Sequence, residues 1–275
     1  MNAAAFTLGP SLLFCPADRP DRFRKAADRA DAVILDLEDA VGSDDKDAAR
    51  RAIVEEPLDP ERTIVRVNAA GTDAFALDLR ALAATEYRTV MLAKAEHPSQ
   101  LEALAEALPG VRVLALCETA VGVYGAGALA AHPATVGLMW GAEDLVASLG
   151  GTSSRTQEGA YRGIAVHARA SVLLAAGAHG IAAIDAVHVD LDDADGLAIE
   201  AGDAAASGFS ATACLHPAQV PIIREAYRPT ETELADAVEL LEIAAHRPGV
   251  FRHRGRMVDE PVLLHARRVV DRAGR

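Results

Sequence analysis

The stretch Val136-Gly-Leu-Met-Trp140-Gly-Ala-Glu143-Asp144-Leu145 is an apolar run that ends in two carboxylates. Such a run is typical of a buried strand in a parallel sheet, with polar residues where the chain leaves the core. A comparable run at 111–117 gives way to Glu118. The two runs predict that Glu118 and Asp144 lie at the carboxyl ends of successive parallel strands, close enough to share one hard cation. Few oxygen ligands, with room left for water and substrate, suit Mg²⁺.

Short strand-like runs alternate with longer helical ones along most of the chain. The pattern predicts strands at 11–14, 32–35, 63–67, 89–92, 111–117, 136–140, 186–189 and 211–215, with helices at 20–29, 45–53, 73–84 and 98–107 between the first of them. A doubly wound sheet usually has fewer strands, so eight βα units with short loops favour an α/β fold of the TIM (β/α)8 barrel type. We assign residues 1–228 to this catalytic barrel.

The pattern changes after Arg228. Thr230 is placed to cap a helix with one apolar face, which Pro248 and Gly249 should end. A small turn at Arg254-Gly255 and a last helix after Pro261 follow. Residues 229–275 are therefore extra to an eight-unit barrel, and we expect them to form a C-terminal helical extension that serves as a lid or an oligomer contact.

Composition and net charge argue against several classes of binding partner. The 275 residues are 51% hydrophobic and 24% charged, as in an ordinary globular protein. The 27 Lys and Arg against 40 Asp and Glu, a net charge of −13, argue against nucleic acid or an anionic membrane as a partner. No apolar run is long enough to span a bilayer. The start, Met1-Asn-Ala-Ala-Ala-Phe6, lacks the basic segment and apolar core of a secretory signal, so we expect a cytoplasmic protein.

The three cysteines, Cys15, Cys117 and Cys214, lie inside or at the end of strand-like runs and have no CxxC spacing. That distribution predicts small buried apolar residues in a reducing cytoplasm rather than a metal or redox site.

Polar side chains stand at the end of every predicted strand from the second onward. They are Asp36, Glu38 and Asp39, then Arg66 and Asn68, Lys94, Glu118, Glu143 and Asp144, Asp190, and His216. Barrel active sites are built from these positions, and so many ionisable groups of both signs on one rim favour chemistry over chance. For each residue alone, capping of the next helix or an ion pair remains the structural alternative.

An ordered set of motifs covers nearly the whole chain. It comprises Phe14-Cys-Pro-Ala-Asp-Arg19-Pro, Ile34-Leu-Asp36-Leu-Glu38-Asp39-Ala-Val, Arg66-Val-Asn68, Leu116-Cys-Glu118-Thr, Trp140-Gly-Ala-Glu143-Asp144-Leu, His216-Pro-Ala-Gln219 and Met257-Val-Asp259-Glu-Pro261. The set resembles the citrate lyase beta-subunit-like proteins of the HpcH/HpaI aldolase and malyl-CoA lyase group. The resemblance implies a Mg²⁺-dependent TIM barrel, commonly a homotrimer, that makes or breaks a carbon–carbon bond beside a coenzyme A thioester.

Residue by residue, the resemblance makes Glu118 and Asp144 the Mg²⁺ ligands. It places Glu38 and Asp39 around them, where they would hold metal-bound waters as part of the catalytic site. The placement of the two ligands agrees with the one that the strand pattern predicts independently.

Arg66 matches the group's active-site arginine. Its planar fork suits a carboxylate, or a thioester oxygen that becomes an enolate. The structural alternative is an ion pair with Asp36 or Glu38. The resemblance also implies that Gly141 and Ala142 offer backbone N–H groups to a substrate carboxylate at the start of a helix, beside Asp144.

Three further assignments come from the resemblance. Arg19 and Lys25 match positions that bind coenzyme A phosphates, although exposed basic residues on a first helix are often only solvated. Asp259 matches a tail aspartate that reaches a neighbouring subunit's site and protonates the carbon of the product enolate. Capping of the last helix is the alternative for Asp259.

The chain departs from the family pattern at Ala93, where many relatives have proline before the lysine of the fourth strand. The role of Lys94 is left open by that departure. His216 and Asp190 also occupy family motif positions, and for both we favour a structural role at the end of the barrel.

The function predicted on this basis is that of a carbon–carbon lyase. It would cleave or form a 3-hydroxyacyl-CoA such as citramalyl-CoA or malyl-CoA, with a 2-keto acid and acetyl-CoA as the other partners. Two alternatives remain. One is a metal-dependent aldolase that acts on free hydroxy-keto acids without coenzyme A. The other is a citrate lyase beta subunit that works with acyl-carrier partners.

Overall fold

Short apolar runs form eight parallel strands that close into a barrel in chain order, within residues 6–247 and 249–274. These are the residues that the structure, a computed structural model, describes. The strands are β1 Ser11–Pro16, β2 Ala32–Asp36, β3 Thr63–Val67, β4 Thr89–Leu92, β5 Arg112–Cys117, β6 Thr135–Trp140, β7 Ala182–Asp185 and β8 Ala211–Cys214. The predicted (β/α)8 fold class is confirmed.

Helices follow the strands and cover the outside of the barrel. They are α1 Phe23–Arg29, α2 Lys46–Glu55, α3 Asp73–Ala83, α4 Pro98–Ala107, α5 Ala120–Ala130, α6 Ala142–Ser148, α7 Gly163–His179, α8 Ala194–Ser207 and α9 Gln219–Tyr227. The bounds predicted for β3, β4 and α4 agree with the structure. Within the described residues, no helix combines the length and the apolar character that crossing a membrane requires.

The barrel interior is filled by apolar side chains from all eight strands, among them Leu12, Ile34, Ile64, Met91, Leu114, Met139, Ile184 and Ala213. Because parallel strands are buried on both faces, their sequences are nearly continuous apolar runs. The three cysteines are buried and free, as predicted. This packed core fixes the strand ends and hence the side chains that follow them.

The seventh strand was predicted in the wrong place. It is Ala182–Asp185, which pairs with β6 and β8, and not 186–189. Gly180 ends α7 in the left-handed conformation at φ 65°, so the chain enters the barrel almost at once. The alternation of Val187 and Val189 looks more strand-like than the alanine-rich run before it, which resembles the preceding helix. Consequently Asp185, not Asp190, closes the seventh strand.

The chain divides into two compact units at Ile223 and Arg224, inside α9. The second unit contains α10 Glu231–His246, a hairpin of β9 Phe251–His253 and β10 Arg256–Val258, and α11 Glu260–Ala273. Thr230 and Glu233 form a capping box at the start of α10. Arg254 and Gly255 make the hairpin turn, both at positive φ. Pro248, predicted to break α10, lies outside the described residues, as do residues 1–5 and 275.

Candidate active site

The parallel register brings the predicted site residues to one rim of the barrel. Asp36 pairs with Arg66 across β2 and β3, and Cys117 pairs with Trp140 across β5 and β6. Glu118 therefore leaves the fifth strand where Gly141 leaves the sixth. Since all eight strands point the same way, the residues that follow them share the carboxyl-terminal rim, which is where barrel enzymes place their chemistry.

Arg66 is held by two carboxylates. Its Nε and Nη2 donate to the two oxygens of Asp36 at 2.7 and 2.6 Å, and its Nη1 lies 3.2 Å from Glu38 Oε2. Burial acts to lower the pKa of Arg66, but these carboxylates raise it above its usual value, so the group stays charged. Both ion pairs of the structural alternative are present. A guanidinium has five N–H donors, so a fork fixed in this way can still donate to a substrate.

The loop after β2 is fixed by contacts that sequence reasoning did not identify. Asp36, which has no exposed surface, accepts from the backbone N–H of Glu38 at 2.9 Å and of Ala40 at 3.1 Å. Lys46 donates its Nζ to the carbonyl oxygens of Leu37 and Glu38, at 2.8 and 3.0 Å. These contacts aim the buried Glu38 into the rim. Asp36 belongs to a family motif and could be identified from the sequence. The contact of Lys46 could not, because it is made to backbone carbonyl groups.

Lys94 contacts four of the rim carboxylates. Its Nζ pairs with Glu38 and lies 3.4 Å from Asp39 Oδ2 and 3.5 Å from Asp144 Oδ1. Its backbone N–H donates to Glu118 Oε1 at 2.9 Å. Although burial acts to lower it, the pKa of Lys94 is raised by the hydrogen bond with Glu38 and by the neighbouring carboxylates. Lys94 therefore carries a positive charge among the residues predicted to hold the metal.

The loop that carries Ala93, where the sequence departs from the family pattern, is fixed by backbone hydrogen bonds. Ala93 is fully buried, and its N–H donates to the carbonyl oxygen of Val67 at 3.4 Å. The N–H of Ala95 donates to the carbonyl of Leu116 at 3.0 Å. A proline would lack the first of these hydrogen bonds. The loop is thus tied to the strands on both sides of β4.

Glu118 and Asp144 lie near one another in different environments. The carboxyl group of Glu118 is buried, with 2% of the residue exposed, whereas the Asp144 side chain is 38% exposed. Burial, together with the negative charge of Asp144, raises the pKa of Glu118 to about 8. A divalent cation between the two groups would remove both causes of that shift, because it replaces the lost hydration and reverses the repulsion.

The oxygen donors fit Mg²⁺. Within residues 6–247 and 249–274, no group of three or more His, Cys, Asp or Glu is arranged around a common metal position. Mg²⁺ does not need such a cage, because it usually keeps several waters and takes one or two carboxylates from the protein. Glu118 and Asp144 would be those ligands, with Glu38 and Asp39 close enough to Lys94 to belong to the same cluster.

Gly141 allows the sixth strand to approach Glu118 closely. A Cβ at this position would lie 2.8 Å from the Cβ of Glu118 and 3.0 Å from its Oε2. Ala142, which is buried, begins α6. The binding of a substrate carboxylate by the N–H groups of Gly141 and Ala142 stays a prediction.

The two residues predicted to bind coenzyme A lie on the first βα connection and are exposed. Arg19 precedes a short 3-10 turn, and its guanidinium donates to both carboxylate oxygens of Asp21, at 3.1 and 3.2 Å. Lys25 lies on α1. Their exposure suits a phosphate ligand, and it suits simple solvation equally well.

In the second unit, Asp259 caps α11. Its side chain accepts from the N–H of Val262 at 3.4 Å, and Pro261 lies in the first turn. The capping role that the sequence offered as an alternative is therefore present. The catalytic role of Asp259 stays a prediction.

The corrected end of the seventh strand carries a buried network that sequence reasoning missed. Asp185 accepts from the indole N–H of Trp140 at 2.6 Å and from the Nη2 of Arg169 at 2.7 Å. Asp190, predicted at this position, lies in the following loop, where it accepts from the N–H of Asp192. His216 is exposed and accepts from the N–H of Ala218 at 3.2 Å, a local backbone contact of the kind expected of it.

This geometry defines a class of protein: a (β/α)8 barrel whose carboxyl-terminal rim presents two carboxylates for a hard divalent cation beside a fixed arginine. A family model described as HpcH/HpaI aldolase/citrate lyase matches residues 10–217. The chain belongs to the HpcH/HpaI aldolase/citrate lyase family, and through it to the carbon–carbon lyases. The resemblance stated on the motifs is thereby confirmed.

Relatives match along nearly the whole chain. A citrate lyase subunit beta-like protein of Mycobacterium tuberculosis is 55% identical over 266 residues, which are 97% of this chain and 96% of that protein. A (3S)-malyl-CoA thioesterase of Cereibacter sphaeroides is 32% identical over 272 residues, covering 96% and 94%. The mitochondrial citramalyl-CoA lyase of Mus musculus is 30% identical over 293 residues, covering 94% and 84%.

A solved structure has the same fold. The crystal structure of protein CitE from Mycobacterium tuberculosis, in complex with magnesium, acetoacetate and coenzyme A, superposes with a TM-score of 0.91 at 55% sequence identity. The match covers 98% of this chain and 99% of that one.

Proposed function

We propose that the chain is a Mg²⁺-dependent carbon–carbon lyase that acts on a 3-hydroxyacyl-CoA such as citramalyl-CoA or malyl-CoA. The products are a 2-keto acid and acetyl-CoA, and the reverse condensation uses the same site. The observation that carries the proposal is the pair of carboxylates on the rim that also holds Arg66: Glu118 directly after β5, and Asp144 in the first turn of α6, the helix that follows β6.

The comparisons with relatives support Mg²⁺ as the metal and a coenzyme A thioester as the substrate. The Mycobacterium tuberculosis structure binds magnesium, acetoacetate and coenzyme A, and two other relatives act on malyl-CoA and citramalyl-CoA by name. We transfer to this chain the metal and the coenzyme A thioester. Arg19 and Lys25 are proposed to meet the coenzyme A phosphates, for which Arg19 would exchange Asp21 for the ligand.

The reaction breaks the bond between the carbinol carbon and the α-carbon of the thioester. The hydroxyl proton passes to solvent water, the carbinol carbon becomes the ketone of the 2-keto acid, and the electron pair of the broken bond forms the enolate of acetyl-CoA, which takes up one proton at carbon. Mg²⁺, held by Glu118 and Asp144, would supply Lewis acidity that lowers the pKa of the substrate hydroxyl and would orient its carboxylate.

The side chains of this protein supply the remaining tasks. Arg66 donates to the enolate oxygen as negative charge grows there, and its contacts with Asp36 and Glu38 keep the fork aligned before the reaction. The N–H groups of Gly141 and Ala142 bind the substrate carboxylate.

Asp259 is proposed to protonate the enolate carbon. It does so from a neighbouring subunit in a homotrimer, in which residues 229–275 serve as the lid of a barrel made of residues 1–228. This arrangement would make the assembly, not the single chain, the active unit.

The test is product analysis with purified protein and Mg²⁺. Citramalyl-CoA or malyl-CoA should give acetyl-CoA together with pyruvate or glyoxylate, and EDTA should abolish both. Release of free coenzyme A thiol without a keto acid would indicate a thioesterase instead. Cleavage of free hydroxy-keto acids alone would indicate the aldolase, and activity only after addition of an acyl carrier would indicate a citrate lyase subunit.

The metal site is tested separately by calorimetry. Glu118→Gln and Asp144→Asn each replace a carboxyl group by an amide of nearly the same shape, so each should abolish measurable Mg²⁺ binding and leave the circular dichroism spectrum unchanged. Undiminished Mg²⁺ affinity in both variants would overturn the assignment of the ligands.

A further inference from the structure

Lys94 occupies an unusual position among the rim residues. Its ammonium pairs with Glu38 and lies 3.4 Å from Asp39 and 3.5 Å from Asp144. Its own backbone N–H donates to Glu118. One residue therefore contacts both carboxylates proposed to bind the metal, through two different groups. The proposed reaction gives this residue no step, so its presence needs another explanation.

The backbone of Lys94 is fixed independently of its ammonium. Its φ of 50° is a left-handed conformation that non-glycine residues adopt rarely and at some cost. Hydrogen bonds from Ala93 and Ala95 to the neighbouring strands hold the peptide units on both sides. In addition, α5 approaches so closely that a Cβ at Gly122 would lie 2.4 Å from the carbonyl oxygen of Ala95. A neutral side chain at position 94 should therefore keep the backbone contact with Glu118.

The three carboxylates around the Lys94 ammonium differ in whether a second cationic side chain neutralises them. Glu38 also pairs with Arg66, at 3.2 Å. Asp144 and Asp39 have side chains that are 38% and 61% exposed, and within residues 6–247 and 249–274 the ammonium of Lys94 is the cation that pairs with them. A divalent cation bound by Asp144 would take up a position against the same carboxylate, and the two cations would repel each other.

We propose that Lys94 is a positioning residue that acts as a built-in counter-ion. In the metal-free protein its ammonium neutralises Asp144 and Asp39, and Mg²⁺ must displace it from Asp144 in order to bind. Lys94 thereby keeps the Mg²⁺ affinity lower than the carboxylates alone would set it, while its backbone N–H holds Glu118 in place. This inference rests on the proposed function, since it assumes that Glu118 and Asp144 bind Mg²⁺.

The test compares Lys94→Met, which keeps the length of the side chain and removes the charge, with Arg112→Met. Arg112 begins β5 at the opposite end of the strand that Glu118 follows, and its ion pair with Glu61 is exposed. Both variants lose one positive charge, so the control removes the effect of net charge. Mg²⁺ binding is measured by calorimetry at one pH, and thermal unfolding is measured with EDTA and with Mg²⁺.

In Lys94→Met we expect Mg²⁺ to bind roughly ten-fold more tightly, as removal of one nearby cation implies. The melting temperature in EDTA should fall, because Asp144 and Asp39 lose their partner, and the rise on adding Mg²⁺ should exceed that of the wild type. Arg112→Met should match the wild type in both measurements. Lys94→Gln, which keeps a hydrogen-bond donor without charge, should show the same tightening and serves if Lys94→Met does not fold.

Equal or weaker Mg²⁺ binding in folded Lys94→Met and Lys94→Gln would overturn the counter-ion role and leave Lys94 as a structural anchor. A wild-type protein that binds no Mg²⁺ would instead contradict the proposed function. The two failures are thus distinguishable.

Discussion

Asp36 shows how much of the candidate site depends on a fully buried residue. It has no exposed surface, yet it accepts from two backbone N–H groups and from the Nε and Nη2 of Arg66. A buried carboxylate is tolerated only when hydrogen bonds replace its hydration. Asp36 therefore couples the position of Glu38 to the orientation of Arg66, two groups with different proposed tasks.

The first residue-scale prediction concerns Arg66→Lys. Lysine keeps the charge but cannot contact both oxygens of Asp36 as a planar fork, so the change is not conservative here. Losing one aligned donor to the transition state typically costs on the order of a hundred-fold in rate, and we expect at least that loss in kcat. Arg112→Lys, the same substitution at an exposed ion pair, should leave kcat unchanged. Wild-type turnover in Arg66→Lys would reduce Arg66 to a structural ion pair.

A second prediction follows from the pKa of Glu118, raised to about 8 by burial and by Asp144. An unfolded glutamate titrates near 4.3. Between these values the folded metal-free protein holds a proton that the unfolded chain has released, so the free energy of unfolding should fall as pH rises from about 4.5 to about 8. Urea unfolding in EDTA at several pH values measures this slope.

Glu118→Gln provides the control, because glutamine cannot ionise. Its slope over the same pH range should be smaller, with a remainder in the same direction from Glu38, whose pKa burial also raises. Saturating Mg²⁺ should flatten the wild-type curve. An unchanged slope in Glu118→Gln would show that Glu118 is not the titrating group.

Sequence patterns predicted the residues at the rim better than the contacts between them. Glu118 and Asp144 were placed at adjacent strand ends from two apolar runs alone, because a strand end is a local signal. Lys46 and Asp185 were missed. Lys46 acts on backbone carbonyl groups, which carry no residue-specific signal, and Asp185 acts through side chains distant in the chain. The seventh strand was misplaced because its alanines are equally compatible with the helix before it. Only its pairing with β6 and β8, which the sequence does not show, identifies it as a strand.

At the element scale, the approach of α5 to the Lys94 loop depends on glycine. A Cβ at Gly122 would meet the carbonyl oxygen of Ala95 at 2.4 Å, whereas one at the exposed Gly127 of the same helix would meet nothing within 4 Å. Gly122→Ala should therefore push α5 or the loop aside and destabilise the protein by about 1–3 kcal/mol. It should also weaken Mg²⁺ binding, because the N–H of Lys94 holds Glu118.

Gly127→Ala is the matched substitution. Removing a glycine from an exposed helix interior stabilises by about 0.5–1 kcal/mol, so the two variants should differ in sign. Urea unfolding gives both free energies and calorimetry gives the Mg²⁺ affinities. Stability gains of equal size in both variants would show that α5 is free to move away from the loop.

At the scale of the whole molecule, the second unit has its own packing and its own helix caps. It has its own apolar contacts, in which Ala237, Ala266 and Val269 join α10 to α11, and its own caps at Thr230 and Asp259. The family model ends at residue 217, before this unit begins. A role of this unit in catalysis is therefore a separate prediction, which is tested with the full chain.

The last prediction is that Asp259 acts in the site of a neighbouring subunit. Asparagine caps a helix about as well as aspartate but cannot transfer a proton, so Asp259→Asn should fold normally and lose activity. Glu118→Gln should be inactive because it lacks a ligand of the proposed Mg²⁺ site. When the two inactive chains are dissociated, mixed and reassembled, some sites will combine an intact barrel with an intact neighbouring tail, and part of the activity should return. Absence of recovery despite proven subunit exchange would reject the shared site, and full activity of Asp259→Asn alone would leave Asp259 only its cap on α11.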